Sequence, residues 1–313
     1  MSFMYNPFPF DDPKPINRPK LSEKTINSLV TGGTPNVAKI FFAEIADKVK
    51  SEGVIVGIDG YTTSDWKQFV DLLARECTVA GVEFEAVDSL AAVLKPNEVI
   101  DEMIDSRLIW DTKIDPTLLY GKLYHGGYIG LFDEAKVAEF QKEVPAMKNP
   151  GKLVVVAGYG SMIAELRDMY DVKCWFDLTP MRTMLRIRNG EYANIGKERP
   201  GIINRTIRRC YYCDFECAVQ LRKDLWKNNV PDFFFIDNDH GKLQMMPFAS
   251  FADICAQLVK YPFRTKPCYL EGVWGGSYIK KQRNLPKEMR NCAWVFDFIP
   301  MEVSVLVEAG KEM

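Results

Sequence analysis

Between Val54 and Glu76 the chain reads VIVGIDGYTTSDWKQFVDLLARE, an apolar run, a glycine turn and an amphipathic stretch. Gly57, Gly60 and the hydroxyls of Thr62, Thr63 and Ser64 are the residue types with which a strand-to-helix turn gathers backbone N–H groups around an anion. A turn that handles nucleoside triphosphates ends G-K-[ST], its lysine on the phosphates and its hydroxyl on magnesium. Here Trp66 stands in the lysine's place, and Lys67, one residue later, is rotated about 100° around a helix. A charge-assisted hydrogen bond contributes about 1.5–3 kcal/mol. The turn is therefore expected to bind nucleotide weakly and to catalyse poorly unless another cation substitutes. The blander reading is a strand-to-helix turn capped by Asp or Ser.

The substitute cation would come from TPMRTMLRIRNGEYANIGKERPGIINRTIRRC. Arg182 and Arg186 fall on one helical face, followed by Arg188, and Arg205, Arg208 and Arg209 form a second group. Guanidinium forks suit phosphate oxygens, although arginines so spaced also line solvated helix faces. Asp59, Asp111, Asp177, Asp237 and Asp239 are the acidic candidates to hold magnesium or accept a hydroxyl proton; any one of them also serves as a cap. Asp59, Asp111 and Arg186 are the expected catalytic groups. Gly57, Gly60, Thr62, Thr63, Ser64, Lys67, Arg182, Arg208 and Arg209 are expected to hold the cofactor. His125 and His240 read more readily as structural or exposed residues. Cys210, Cys213 and Cys217 share one helical face, and with no fourth ligand nearby they read as packing groups, so zinc is not expected.

These residues need elements to place them. Apolar spacing predicts a helix over 36–50, with Pro35 at its start, a buried strand over 54–58, a helix over about 64–80 and a strand in VEFEAVD. KLVVVAGYG then predicts a strand, SMIAELRDMY a helix, VKCWFDLT a strand and PDFFFIDND another. This alternation argues for an α/β fold, a parallel sheet with helices on both faces, whose ligands sit beyond the carboxyl ends of the strands. Residues 57–64, 158–161, 177–179 and 237–240 lie along that edge. Prolines at 7, 9, 13, 15 and 19 predict an extended N-terminal arm, and a short β segment follows Pro262. The expected division is an arm over 1–35, an α/β domain over 36–262 and a β segment over 263–313.

The chain has 313 residues, 47% of them hydrophobic, and its 40 Lys and Arg against 42 Asp and Glu leave a net charge of −2. That balance gives no reason to expect nucleic acid as a partner. No apolar run reaches the length of a membrane span and the proline-rich start is unlike a signal peptide, so no membrane is expected and a cytoplasmic location is. The eight cysteines read as reduced thiols.

Taken together, VIVGIDGYTTSDW, KLVVVAGYGSMIAELRDMYDVKCWFDLTPMRTMLRIRNG and RRCYYCDFECAVQLRKDLW resemble the uridine-kinase-like branch of the P-loop kinases, over about residues 54–237. The resemblance implies a nucleoside or sugar kinase fold, ATP with Mg as cofactors, and an arginine-bearing lid over 182–209. Asp65-Trp66 departs from the family's loop. A second stretch, 262–310, is similar to the opening segment of type I mannose-6-phosphate isomerase proteins of the cupin class, through Trp274-Gly275-Gly276 and the runs AWVFD and EVSVLVEAG. It implies a link to carbohydrate metabolism; the zinc ligands of that family have no counterpart in the matching segment. Together the two likenesses imply a nucleotide- or phosphosugar-binding kinase-like protein. The alternatives are an active nucleoside or sugar phosphotransferase, or an interaction module that partners a cupin or a second copy of itself.

Overall fold

The computed structural model describes residues 16–115, 120–260, 266–267, 301–302, 304–308 and 311–313. At its centre lies a six-stranded sheet. In chain order the strands are β1 (Val54–Gly60), β2 (Glu83–Asp88), β3 (Lys152–Ala157), β4 (Val172–Asp177), β5 (Phe233–Ile236) and β6 (Gln244–Pro247). Across the sheet they run β2-β3-β1-β4-β5-β6. The first five are parallel and β6 is antiparallel to β5. The sheet is thus mixed, its parallel part being the one the alternating pattern predicts. The chain leaves β1 toward β2 and later crosses from β3 to β4 on the other side. Beside β1, therefore, the direction of winding reverses, the position where open α/β sheets form a crevice.

Every residue of β1 is buried, as a central strand covered on both faces requires. One face is covered by α1 (Thr34–Glu52) and α2 (Lys67–Ala80), whose Phe41, Phe69 and Leu73 meet Val56, Ile58, Phe176 and Phe235. Phe176 and Phe235 stack with centroids 4.4 Å apart. The other face carries α3 (Asn97–Asp105), α4 (Glu134–Ala146), α7 (Phe215–Lys227) and α8 (Phe248–Leu258) against Ile55, Val154, Trp175 and Phe234. Two further helices, α5 (Pro180–Arg188) and α6 (Ile203–Arg209), follow β4, and a π-helical turn, Cys210–Asp214, joins α6 to α7.

The helix expected in SMIAELRDMY is absent: only Arg167–Met169 forms a 3₁₀ turn. Gly160 has φ +83°, and a Cβ there would lie 2.6–2.8 Å from Phe132 and Tyr128, so the path turns out of the helical region before the segment begins. Within the expected N-terminal arm, Glu23–Asn27 is helical and its Thr25 hydroxyl donates to Asp253 on α8 at 2.7 Å. Further on, Val30 and Met245 of β6 exchange backbone hydrogen bonds at 2.8 and 3.1 Å. At the C-terminal end β7 (Ser304–Glu308) pairs in parallel with Ile16–Asn17 and antiparallel with Lys311–Glu312. Most of the expected β segment, including Trp274-Gly275-Gly276 and AWVFD, lies outside the described residues.

Candidate functional site

Beyond the carboxyl end of β1 the chain turns through Tyr61–Trp66 into α2. The amide of Gly60 donates to Asp59 Oδ1 at 2.7 Å, that of Tyr61 to the Phe176 carbonyl at 2.9 Å, that of Ser64 to the Tyr61 carbonyl at 2.9 Å and that of Asp65 to Asp237 Oδ2 at 2.7 Å. Thr62, Thr63 and Ser64 are 1%, 5% and 6% exposed. Their side chains look inward: Thr62 Oγ1 donates to the Asp214 carbonyl and Ser64 Oγ to the Phe176 carbonyl. The amides of Gly60, Tyr61, Ser64 and Asp65 and the hydroxyls of Thr62 and Ser64, expected to face an anion, are thus bonded within the protein, while the buried Thr63 Oγ1 has no partner among the described residues.

The two glycines serve packing. A Cβ on Gly57 would stand 2.3 Å from the Tyr170 ring, and one on Gly60 would stand 2.7 Å from the Phe176 carbonyl oxygen. Neither glycine has positive φ, whereas Thr63 does, at 76°.

Asp59 is wholly buried and supplies the anion itself. Its carboxylate accepts the amides of Gly60 at 2.7 Å, Gly160 at 3.2 Å and Met162 at 2.9 Å. Burial nevertheless pushes its pKa up to about 7, against the lowering effect of those amides and of Ser161. Amides that would otherwise face a ligand at the winding reversal thus close on a side chain.

Arg186 is spent on the same turn. Its guanidinium donates to Asp237 Oδ2 at 2.6 Å and Oδ1 at 3.1 Å, to the Asp237 carbonyl at 2.8 Å and to the Thr63 carbonyl at 2.7 Å. The remaining arginines are dispersed. Arg182 pairs with Asp239 at 3.0 Å. Arg208, fully buried, donates to the Ile109 carbonyl at 2.7 Å, faces Asp115 at 3.5 Å and covers the Trp110 ring at 4.7 Å. Arg209 reaches Asp101 at 2.9 Å and the Ile195 carbonyl at 3.0 Å. Asp111 sits in an exposed turn and accepts the Lys113 amide at 2.8 Å. The expected arginine lid and the expected catalytic trio, Asp59, Asp111 and Arg186, are therefore not assembled around one centre.

A magnesium ion does not fit Asp59, Asp177 or Asp237. Asp59 is enclosed by amides, Asp237 by Arg186 and the Asp65 amide, and Asp177 by the Trp175 indole N–H and the Leu178 amide. Among the described residues no three His, Cys, Asp or Glu side chains converge as a metal cluster. Cys210, Cys213 and Cys217 are buried free thiols. Burial raises the pKa of Cys210 well above the ordinary thiol range. His240 is exposed, its Nε2 lying 2.8 Å from Glu191.

What the edge does offer is a cleft of about 450 Å³ between the ends of β2 and β3 and the start of α2. Trp66, Val70, Val87 and Tyr159 supply its apolar walls, and Lys67, Asp71 and Asp88 its charges. Trp66 and Tyr159 meet edge to face at 5.0 Å, and the Tyr159 hydroxyl donates to the Ser64 carbonyl at 2.9 Å, which fixes the wall to the turn. Asp88 caps the Ala91 amide at 3.0 Å. Asp71 and Asp88 were legible only by position, Asp88 as the last residue of a strand and Asp71 one turn beyond Lys67 on α2. Trp66, which displaces the expected lysine, forms part of the cleft.

Three solved structures resemble the chain in outline. A possible uridine kinase from Bacillus stearothermophilus is 11% identical, over 63% of this chain and 97% of that one, with a TM-score of 0.38. A putative fructose transport system kinase from Silicibacter sp. TM1040 is 12% identical over 59% and 94%, also at 0.38. Phosphoribulokinase from Rhodobacter spheroides is 12% identical over 67% and 96%, at 0.34. No curated protein matches the chain. No helix among the described residues is long and apolar enough to cross a membrane. Over residues 42–260 the chain matches the family described as Domain of unknown function (DUF8485), and it belongs to that family.

Proposed function

We propose that the chain is a kinase-like α/β protein that binds a mononucleotide in the cleft beside Trp66 and Lys67 and transfers no phosphoryl group through its glycine turn. The observation that carries this reading is the cleft itself, at the carboxyl edge and next to the winding reversal, where α/β sheets take ligands. Its aromatic walls suit a planar base. Asp71 and Asp88 accept hydrogen bonds from base amines or ribose hydroxyls, and Lys67 offers one ammonium to a phosphate. With two carboxylates facing one lysine, the charge favours a nucleoside monophosphate over a triphosphate. The amides of Gly60, Tyr61, Ser64 and Asp65, already bonded within the protein, argue against turnover through this turn. The isomerase likeness of residues 262–310 adds no group to this cleft.

Calorimetric titration with AMP, UMP, ADP and ATP, with and without magnesium, tests the reading. Binding of a monophosphate without need of magnesium is expected. Lys67→Ala, which removes a charge-assisted contact of about 1.5–3 kcal/mol, should weaken it about tenfold or more, and Trp66→Ala should weaken it further. No heat with any nucleotide, or affinity indifferent to both substitutions, would overturn it.

A further inference from the structure

On the opposite half of the carboxyl edge lies a second cavity of about 270 Å³, between the ends of β4 and β5, helices α7 and α8, and the C-terminal strands. Its floor and walls are apolar: Trp226, Phe234, Phe251 and Ile254, closed by Val305 and Met313. Phe234 and Phe251 stack at 3.6 Å, with Trp226 edge-on to Phe251 at 5.3 Å, so the floor is a set of packed aromatic rings. One end of the cavity is charged, with Arg222 and Asp177 side by side.

The two charges are unequally satisfied. Asp177 accepts the Trp175 indole N–H at 3.0 Å and the Leu178 amide at 2.9 Å. Arg222 approaches it only at 3.3 and 3.4 Å, through one nitrogen, and keeps 30% of its side chain exposed. Tyr61 at 4.5 Å and Trp226 at 5.4 Å hold its plane. The result is a guanidinium with donors to spare, braced by aromatics at the mouth of an apolar hole. A fork of that kind accepts a carboxylate in bidentate fashion. The volume lies at the lower end of the usual range of ligand pockets, about 300–1,000 Å³, and suits a small ligand.

We infer that this cavity binds a small monocarboxylate with an apolar body, its carboxylate on Arg222 and its tail against Phe234 and Phe251. The site is separate from the cleft at Trp66 and does not depend on it.

Octanoate and 1-octanol, titrated by calorimetry and saturation-transfer NMR, form the test pair. Octanoate should bind at least about tenfold more tightly than the alcohol, the worth of one charge-assisted contact. Arg222→Gln should remove that preference, and Arg222→Lys, which keeps the charge without the fork, should leave an intermediate one. Leu258→Trp, which fills the cavity from a partly exposed wall, should abolish binding of both. Octanoate should also slow alkylation of Cys255, a thiol lining the cavity, read by mass spectrometry of its peptide. Thermal melts of each variant establish that it is folded. AMP in excess should leave octanoate binding unchanged, so failure of the cleft reading and failure of this one are distinguishable. Absent binding to the wild-type protein, equal affinity for the alcohol, a preference that survives in Arg222→Gln, or displacement by AMP would each overturn the inference.

Discussion

Arg186 lays two nitrogens on the Asp237 carboxylate, at 2.6 and 3.1 Å, with both side chains about 6% exposed. Burial works against the charge on Arg186, and Asp237 more than offsets it, leaving the guanidinium above its ordinary range. Because the same guanidinium holds the Thr63 carbonyl and the same carboxylate holds the Asp65 amide, this one pair shapes the whole turn. Removing one member of a buried pair strands the other, at a cost of about 3–5 kcal/mol. Arg186→Met should lower stability by that amount in urea unfolding. Arg186→Lys should recover little, since an ammonium cannot form the fork.

Asp59 predicts an unusual pH dependence. Its pKa is about 7 when folded, against the ordinary carboxylate value of 3.8. Between those values the folded protein binds more protons than the unfolded chain. Stability from this group should therefore be highest below about pH 4 and fall as pH rises toward 7, by up to about 1.4 kcal/mol per pH unit, then level off. Asp59→Asn should lose this slope while destabilising the protein by about 1–3 kcal/mol, because its NH₂ must face an amide donor. Chemical denaturation from pH 4 to 8 measures both.

Thr63 is a β-branched residue at φ 76°, and among the described residues its buried Oγ1 has no partner. Such a conformation costs about 1–3 kcal/mol, while glycine adopts it freely but loses more chain entropy on folding. Thr63→Gly should raise stability by about 1 kcal/mol, seen as a higher melting temperature. A lower one would show that the Thr63 methyl contributes more packing than the strain removes.

Restoring the missing lysine should not restore catalysis. Trp66→Lys places an ammonium at the expected position, yet the amides around it remain engaged with Asp59, Asp237 and the Phe176 carbonyl. ATP hydrolysis, followed by phosphate release, should stay at the level of the unsubstituted protein. A clear gain would show that the turn can open.

The frame was legible because β1 opens on the apolar run VIVGI and β3 carries LVVVA, and because α1 and α2 repeat apolar residues at helical spacing, with Phe69, Leu73 and Cys77 on one buried stripe. The state of the turn was not legible. Whether Gly60 or Asp65 has a free amide depends on Asp59, Asp237 and Arg186, the last two more than a hundred residues away in sequence. No local pattern reports such closure. SMIAELRDMY misleads for a related reason: its composition favours a helix, but Gly160 and Met162 turn their amides to Asp59. The cleft could be foreseen only in part, since Trp66 reads as damage to a loop until the strand ends bring Asp88 and Tyr159 beside it.

The outer margin of β6 has a consequence of its own. A terminal strand presents bare N–H and C=O groups that invite pairing between molecules. Val30 takes up part of that margin through Met245, and Gln244 donates from it to the Glu312 carbonyl at 2.7 Å. The opposite margin, β2, carries Glu83 and Glu85, whose carboxylates hold Lys152 of the neighbouring β3 at 2.8 and 2.7 Å. The stretches around Val30 and Glu312 thus act as a selvedge on β6, and trimming them would expose the protein to self-association along that strand.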